Sequence, residues 1–388
     1  MKHIGIVVPT FPVASETFVV TEINALVALG HKVTVFAFEK GPANHLEIAP
    51  TVECHYANDL PDASFKDVVS LPIRRVLNAY CAASKQSKSA TLSLLRFGAR
   101  LGKAARSVGI DHLHSHFLTS SLAHAVVGAA LFDLPVSCVG HGHDVYQTPV
   151  DLPAKLKYCD FAVAVCAHMQ KQLSALTKTP LHVVHCGVNT DAFSFRTLPK
   201  NTTTRFLFIG RLVEKKGLKY AIEALANIPA SSRPSFHIVG DGEVKDALMN
   251  IVQKYQLEAS VKFLGYKPPQ WLQDNAGYYD GLIAPFCEAA NGDRDTGPVV
   301  LKEAMAMGLP VISTVFMGCP EIVDNASGFL VPPKSSEKLK SAIEHFCTMS
   351  SVDKKRMREC ARQRVEDAFC ASKQARQLSR LINGGGAV

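Results

Sequence analysis

The feature that most restricts this chain is a regular alternation, in which thirteen short strand-like runs, most of them continuous rather than alternating, are separated by segments with helical spacing. The runs fall at residues 4–8, 32–38, 52–56, 112–117, 136–139, 161–165 and 182–185, then at 205–209, 235–239, 261–264, 281–285, 311–314 and 328–331. A strand with one wet face alternates apolar and polar side chains. An unbroken run suits a strand covered on both faces, as in a parallel sheet with helices on either side. Repeated strand–helix order implies doubly wound sheets. The 388 residues suffice for two domains, and a polar, proline-containing stretch at 194–204 (SFRTLPKNTTT) separates seven runs from six. The expectation is an α/β chain of two Rossmann-like domains, residues 1–193 and 194–370. A last helical segment at 353–381 and a tail at 371–388 would cross back to the first domain, ending in the loose glycines 384–386.

Composition narrows the class. With 47% hydrophobic and 20% charged residues the chain reads as soluble and globular, and no run of 18 apolar residues exists to span a bilayer. Its eleven cysteines include no C-x-x-C pair, which argues against a disulfide framework or a zinc site and for a reducing cytoplasm. The N-terminus opens on a strand-like run without the small-residue cleavage site of a signal peptide. The net charge of +8 is local: no acid lies between Asp67 and Asp111, and that interval holds Arg74, Arg75, Lys85, Lys88, Arg96, Arg100, Lys103 and Arg106. Val76, Leu77, Leu92, Leu94, Leu95, Phe97 and Leu101 interleave with them. This segment, 74–106, suits an anionic membrane surface; the alternative is a solvated helix pair packed on the sheet. Nucleic acid is disfavoured, because no aromatic platform accompanies the basic patch.

Four stretches carry chemistry. In DTGPVVLKEAMAMGLP (295–310), Thr296, Gly297 and Pro298 read as a turn opening a helix from Val299 to Met307, with Gly308 ending it. The N–H groups at that helix start suit a phosphate. Glu303 can accept paired ribose hydroxyls and Asp295 can reach a sugar hydroxyl; an acidic loop and a surface glutamate are the plain alternative. In FLFIGRLVEKK (206–216), Arg211 and Lys216 follow a strand end, where ligands bind in open α/β sheets, and could neutralise a diphosphate. In GHGHD (140–144), His141 could donate to a sugar hydroxyl, with a metal set of His141, His143 and Asp144 as the rival. His114 and His116 read as structural or pocket-lining. In PTFPVASETF (9–18), Ser15 reads as the N-cap of a helix, leaving Glu16 and Thr17 to face an acceptor. Two weaker signals are Gly240-Asp241-Gly242, a possible phosphate loop, and Tyr266, a stacking surface for a nucleobase.

Together these residues resemble a retaining GT-B glycosyltransferase of the family-4 type, and more narrowly the transferases of bacterial exopolysaccharide (colanic-acid-type) assembly. The resemblance rests on Ser15–Phe18, His141-Gly142-x-Asp144, Gly187-Val188-Asn189, Gly210-Arg211-Leu212 with Lys216-Gly217, Gly240-Asp241-Gly242 and Glu303-Ala304-Met305-Ala306, all in family order. It implies two domains facing across a cleft, the first taking the acceptor and the second the nucleotide sugar. Arg211 and Lys216 would hold the donor diphosphate, Glu303 the ribose, and Asp295 and His141 the donor sugar. Asp295 stands where the family usually has Glu, Thr296 where it has Gly, and Asn189 where Asp is common. The implied reaction moves a hexose with retention from a UDP-sugar, or a GDP-sugar, to a glycan or lipid-linked acceptor, with no metal and no further cofactor. A nucleotide-sugar epimerase and a non-catalytic nucleotide-sugar-binding subunit are the alternatives.

Overall fold

All thirteen expected strands form. The computed structural model describes residues 1–42, 46–63, 65–196 and 203–385. One sheet holds β1 (His3–Phe11), β2 (Lys32–Lys40), β3 (Glu53–Tyr56), β4 (His112–His116), β5 (Val136–Gly140), β6 (Phe161–Ala164) and β7 (Leu181–Val183), in the order β3-β2-β1-β4-β5-β6-β7. The other holds β8 (Arg205–Ile209), β9 (Ser235–Val239), β10 (Val261–Gly265), β11 (Gly281–Ile283), β12 (Val311–Thr314) and β13 (Gly328–Val331), in the order β10-β9-β8-β11-β12-β13. Every pairing in both sheets is parallel. The unbroken runs have the cause expected of them: Ile4, Ile6 and Val7 in β1 and Phe206, Leu207 and Phe208 in β8 are all buried, on both faces of their strands.

Strand order reverses in each sheet at one place, between β1 and β4 and between β8 and β11. The loops leaving two such strands diverge to opposite faces and open a crevice at the carboxyl edge.

The chain divides into two units, residues 1–187 with 371–388, and Val188–Cys370. The division falls six residues before the expected boundary at 193–194, because Val188 already belongs to the second unit. Its N–H donates to Phe369 O at 2.9 Å, and it forms an isolated bridge with Cys370. Residues 197–202 of the expected linker lie outside the described residues, as does Gly386 of the tail.

The same bridge corrects the reading of one terminal helix. Two helices form, Ser351–Ala368 and Ala371–Ile382, and the break is the point at which the chain leaves the second unit. The last helix joins the first unit: Gln374 Oε1 accepts from His185 N at 2.9 Å, and Ser379 Oγ meets His31 Nε2 at 2.8 Å.

The basic segment is a packed helix pair, Ile73–Ser84 and Thr91–Ser107. The second crosses the helix Ser120–Phe132 at backbone distance: a Cβ on Gly102 would lie 2.7 Å from Gly128 O. Leu94 and Leu101 therefore belong to the core rather than to an exposed stripe. No helix among the described residues is long and apolar enough to cross a membrane.

Candidate active site

In the second unit the predicted residues gather at the β8/β11 reversal. The loop after β8 carries Arg211 and Lys216, and the loop after β11 carries Asp295 to Pro298. Lys216 Nζ lies 3.2 Å from Asp295 Oδ2 and 5.0 Å from the centre of the Phe286 ring, so the two loops meet at that lysine. Three further ties hold them: Cys287 N donates to Lys215 O (2.9 Å), Ala290 N donates to Glu214 Oε2 (3.0 Å), and buried Lys215 pairs with Asp293 at 2.9 Å. The sequence reading missed Glu214, Lys215 and Asp293. Both adjacent lysines thus reach the opposing loop, Lys215 buried against Asp293 and Lys216 less buried against Asp295. Arg211 is exposed and forms no ion pair among the described residues.

The helix after this loop runs Val299–Ala306, with Pro298 in the N-cap position and no side-chain cap bond. Its first-turn N–H groups thus keep their capacity for an anion. Its far end is anchored: Arg362 Nη1 donates to Ala306 O (2.7 Å) and to Phe193 O (2.6 Å), a cation at a helix C-terminus. Neither Thr296 nor Gly297 has a positive φ, so the turn accepts a threonine in place of the usual glycine without strain. Thr296 is buried and its carbonyl accepts from Gly318 N (3.0 Å). Glu303 lies on the same helix, half-buried but closely surrounded by protein. That burial pushes its carboxyl up to about 7, with Lys302 pulling the other way.

The Gly240-Asp241-Gly242 reading changes. A Cβ at Gly240 would stand 1.9 Å from Gly210 O, and one at Gly242 would stand 2.4 Å from Leu212 O. These glycines are required by loop-on-loop packing, which also holds Arg211 in place through Leu212 N to Asp241 O (2.8 Å). The helix that follows begins only at Lys245. Tyr266 is 65% exposed, free to stack on a ligand.

In the first unit the predicted residues gather at the β1/β4 reversal and the neighbouring end of β5. The helix after β1 is Thr17–Ala28, with Glu16 rather than Ser15 in the N-cap position and no side-chain cap bond. Glu16 and Thr17 are both half-buried. Phe18 packs on His141 with ring centres 4.6 Å apart, and Phe117 packs on it at 4.7 Å. His141 is buried, and burial holds its imidazolium well below the usual range, helped by His116 and His114. Asp144 is a positioning group: its carboxylate accepts from His141 N (2.9 Å) and Leu118 N (2.6 Å). Burial nevertheless pushes that carboxyl up to about 6.

The rival metal set of His141, His143 and Asp144 does not converge. Among the described residues the group whose ligand atoms converge, all within 4.8 Å of one another, is Glu22, His114 and His116. A hollow of about 690 Å³ lies elsewhere, at the amino ends of β5 and β6, beside Arg74, Arg75, Asp133, Tyr158 and Asp160. Open α/β sheets bind ligands at the opposite edge.

Comparison with known proteins agrees with this layout. Residues 15–192 match the family model described as Glycosyltransferase Family 4, and residues 189–364 match glycosyl transferases group 1. The chain belongs to the family-4 type glycosyltransferases. The Escherichia coli (strain K12) protein WcaL, named for colanic acid biosynthesis, is 27% identical over 98% of this chain and 99% of its own. The amylovoran biosynthesis glycosyltransferase AmsK of Erwinia amylovora is 27% identical over 96% and 97%. Among solved structures, Anabaena HepE in complex with UDP superposes with a TM-score of 0.72 at 18% identity, over 99% of this chain and 100% of that one. HepE has also been solved with UDP-glucose. The fold is GT-B. Within this family frame, Lys216 and Asp295 are in direct contact, and Arg211, Thr296 to Val299 and Glu303 stand on the loops and helix of the same crevice. Tyr266 and Gly240 follow the neighbouring strands. His141, Glu16 and Thr17 belong to the other unit. The residues given no role from the sequence were Glu22 and Phe18 in the first unit and Glu214, Lys215, Asp293 and Arg362 in the second, and Asp144 had been weighed only as a metal ligand. Only the SETF and HGxD contexts signalled any of them.

Proposed function

We propose that this glycosyltransferase moves a hexose, with retention of anomeric configuration, from a nucleoside diphosphate sugar to a glycan or lipid-linked acceptor during exopolysaccharide assembly. UDP-sugars are the favoured donors, with GDP-sugars second. The observation that carries the reading is the cationic crevice at the β8/β11 reversal: Lys216 against Asp295, exposed Arg211 on the same loop, and a helix start without a side-chain cap. Such a set suits a diphosphate carrying negative charge as it departs. The names of WcaL and AmsK support the polysaccharide context, and the UDP and UDP-glucose bound to HepE support the donor class.

The step we propose is attack on the anomeric carbon from the face the diphosphate leaves. The acceptor oxygen–carbon bond forms as the carbon–phosphate oxygen bond breaks, and the acceptor proton passes to the departing phosphate oxygen. Arg211 and Lys216 hold the charge there, so no metal is required for that purpose. Glu303 takes the ribose hydroxyls, Asp295 and His141 face the sugar, Tyr266 underlies the base, and Glu16 and Thr17 face the acceptor.

The test is a thermal-shift panel of nucleotide sugars, followed by reaction of the best donor with a lipid-linked glycan and assignment of the product anomer by NMR. Retention with undiminished rate in EDTA is expected. An inverted product, or rate lost to EDTA and restored by a divalent ion, overturns the mechanism. Turnover of donor without acceptor points to an epimerase instead.

We also propose a peripheral position on the cytoplasmic side of the membrane, which the first unit's basic helices support. Ile73, Leu77 and Tyr80 are spaced along one helical face and exposed, as is Leu92. Arg75, Arg100 and Lys103 are paired with Asp133, Asp62 and Asp67. Arg74, Lys85, Lys88, Arg96 and Arg106 are exposed and form no ion pair among the described residues. Flotation with anionic but not neutral vesicles is the expected result; equal binding, or none, removes the proposal.

A further inference from the structure

The turn that follows β4 is strained, and buried polar groups hold it. Phe117 adopts φ 68°, in the left-handed region, and among the described residues it is the one aromatic side chain with a positive φ. A bulky L-residue meets steric repulsion there, between its Cβ and the backbone. Phe117 N donates to Val139 O at 3.0 Å, and Ser121 Oγ lies 3.0 Å from His116 O and 3.2 Å from Phe117 O. The next residue is gripped at both ends: Leu118 N donates to Asp144 Oδ2 (2.6 Å), and Lys155 Nζ donates to Leu118 O (2.8 Å). Ser121, Asp144 and Lys155 are all buried.

Strain of this kind persists only where the surroundings over-determine it, and it gathers at ligand sites. What this turn displays is a phenyl ring, at the carboxyl end of β4 where the strand order reverses. Phe117 and Phe18 both pack on His141, with ring centres 4.7 and 4.6 Å from it. Both phenyl rings are half-buried, whereas His141 is only 7% exposed. The rings are thus more open to a ligand than the imidazole they pack on. A phenyl face does not suit a diphosphate. It suits the apolar side of a sugar, where the C–H bonds of a pyranose lie against the electron-rich face of the ring.

We propose that Phe117 is a sugar-contacting residue, held in its strained conformation so that its ring stacks on the C–H face of a pyranose at the first unit's crevice. This rests on the transferase reading and adds to it a residue and a substrate requirement. The sugar must offer one face of adjoining C–H bonds with no axial hydroxyl on it. Two sources share that chemistry, the hexose being transferred and the terminal sugar of the acceptor, and they differ in which Michaelis constant responds. The stack also gives a purpose to buried Ser121 and Lys155, which take no part in the proposed transfer.

Replacements at this position in the full chain test the stack. Phe117→Leu keeps apolar bulk and loses the ring, and Phe117→Tyr keeps the ring. Pentafluorophenylalanine at position 117 nearly keeps the shape while reversing the charge of the ring face. Phe117→Leu and the fluorinated ring are expected to lower kcat/KM roughly 5- to 10-fold, and Phe117→Tyr to stay within about twofold, with melting temperatures little changed. A rise in acceptor KM with donor KM unchanged assigns the stack to the acceptor sugar; the reverse assigns it to the transferred hexose. A fluorinated or leucine variant as active as the native protein, or rates that fall in step with melting temperature, overturns the proposal while the transferase reading stands. Binding gives a readout that needs no turnover, with a panel of UDP-hexoses, GDP-hexoses and methyl hexopyranosides as probes. Saturation transfer from the protein's aromatic protons is expected to reach the C–H protons of one sugar face in the native protein and to be lost in Phe117→Leu. No such transfer to any probe, or equal transfer in the variant, overturns the stack whether or not the protein transfers sugar.

Discussion

The two units share one topology and differ in what they place at its reversal point. In the second, the loops after β8 and β11 present Lys216, Arg211 and an uncapped helix start. In the first, the structure around β1 and β4 presents buried imidazoles, two phenyl rings and a carboxylate. One end gathers basic side chains at a helix start, and the other gathers aromatic and imidazole rings around a carboxylate. Sheet order decides where a ligand goes, and the few loop residues at that place decide its chemistry.

The largest effect expected from breaking this contrast lies in the second unit. Lys216→Ala and Arg211→Ala should each lower turnover by roughly 100-fold or more in a coupled UDP-release assay, with melting temperature little changed for exposed Arg211. Near-native rates for both would remove the charge-binding half of the comparison. Next comes the scaffold of the first unit. Asp144→Ala leaves the N–H groups of His141 and Leu118 unpaired in a buried place and should cost about 1–3 kcal/mol, read by denaturant unfolding. An unchanged midpoint would mean that the carboxylate does not hold that loop.

Glu303 sharpens the contrast through pH. Its folded pKa is raised, so between about pH 4.5 and 7 the native state holds a proton that the unfolded chain has released. Stability contributed by the protonated form is lost as pH rises toward 7. Glu303→Gln should therefore gain stability over the native protein at pH 8 relative to pH 5, by on the order of 1–2 kcal/mol after allowance for partial exposure. In the native protein, nucleotide affinity should weaken as pH falls below about 7, and the variant should lose that dependence; calorimetry at the two pH values decides both. The smallest effect is at Tyr266, where alanine should weaken nucleotide binding by about 1 kcal/mol, roughly fivefold. No change would place the base elsewhere.

The strands were legible because burial on both faces of a parallel strand leaves a local mark, an unbroken apolar run, that no distant residue alters. β12 and β13 formed at the expected residues, and β7 shifted by one or two. The helix start at Val299 was legible through Pro298 and Gly308, whose backbone preferences are also local. The terminal helix was misread because its break at Phe369–Cys370 is imposed by a bridge to Val188, which no feature of the segment announces. Gly240 and Gly242 were read as ligand-facing because close approach to a neighbouring loop and close approach to a phosphate require the same residue.

By itself the sequence determined the two doubly wound sheets, the glycosyltransferase family and the identity of the charged residues on the crevice loops, since each is written in short stretches of chain. Tertiary structure alone decided that Lys215 is buried against Asp293 while its neighbour Lys216 meets Asp295. It alone joined Glu22 to His116 across 94 residues and His116 to His141 across 25. The reason is that hydrogen bonds and ion pairs depend on separations of a few ångströms in space, and strand order, not distance along the chain, sets those separations.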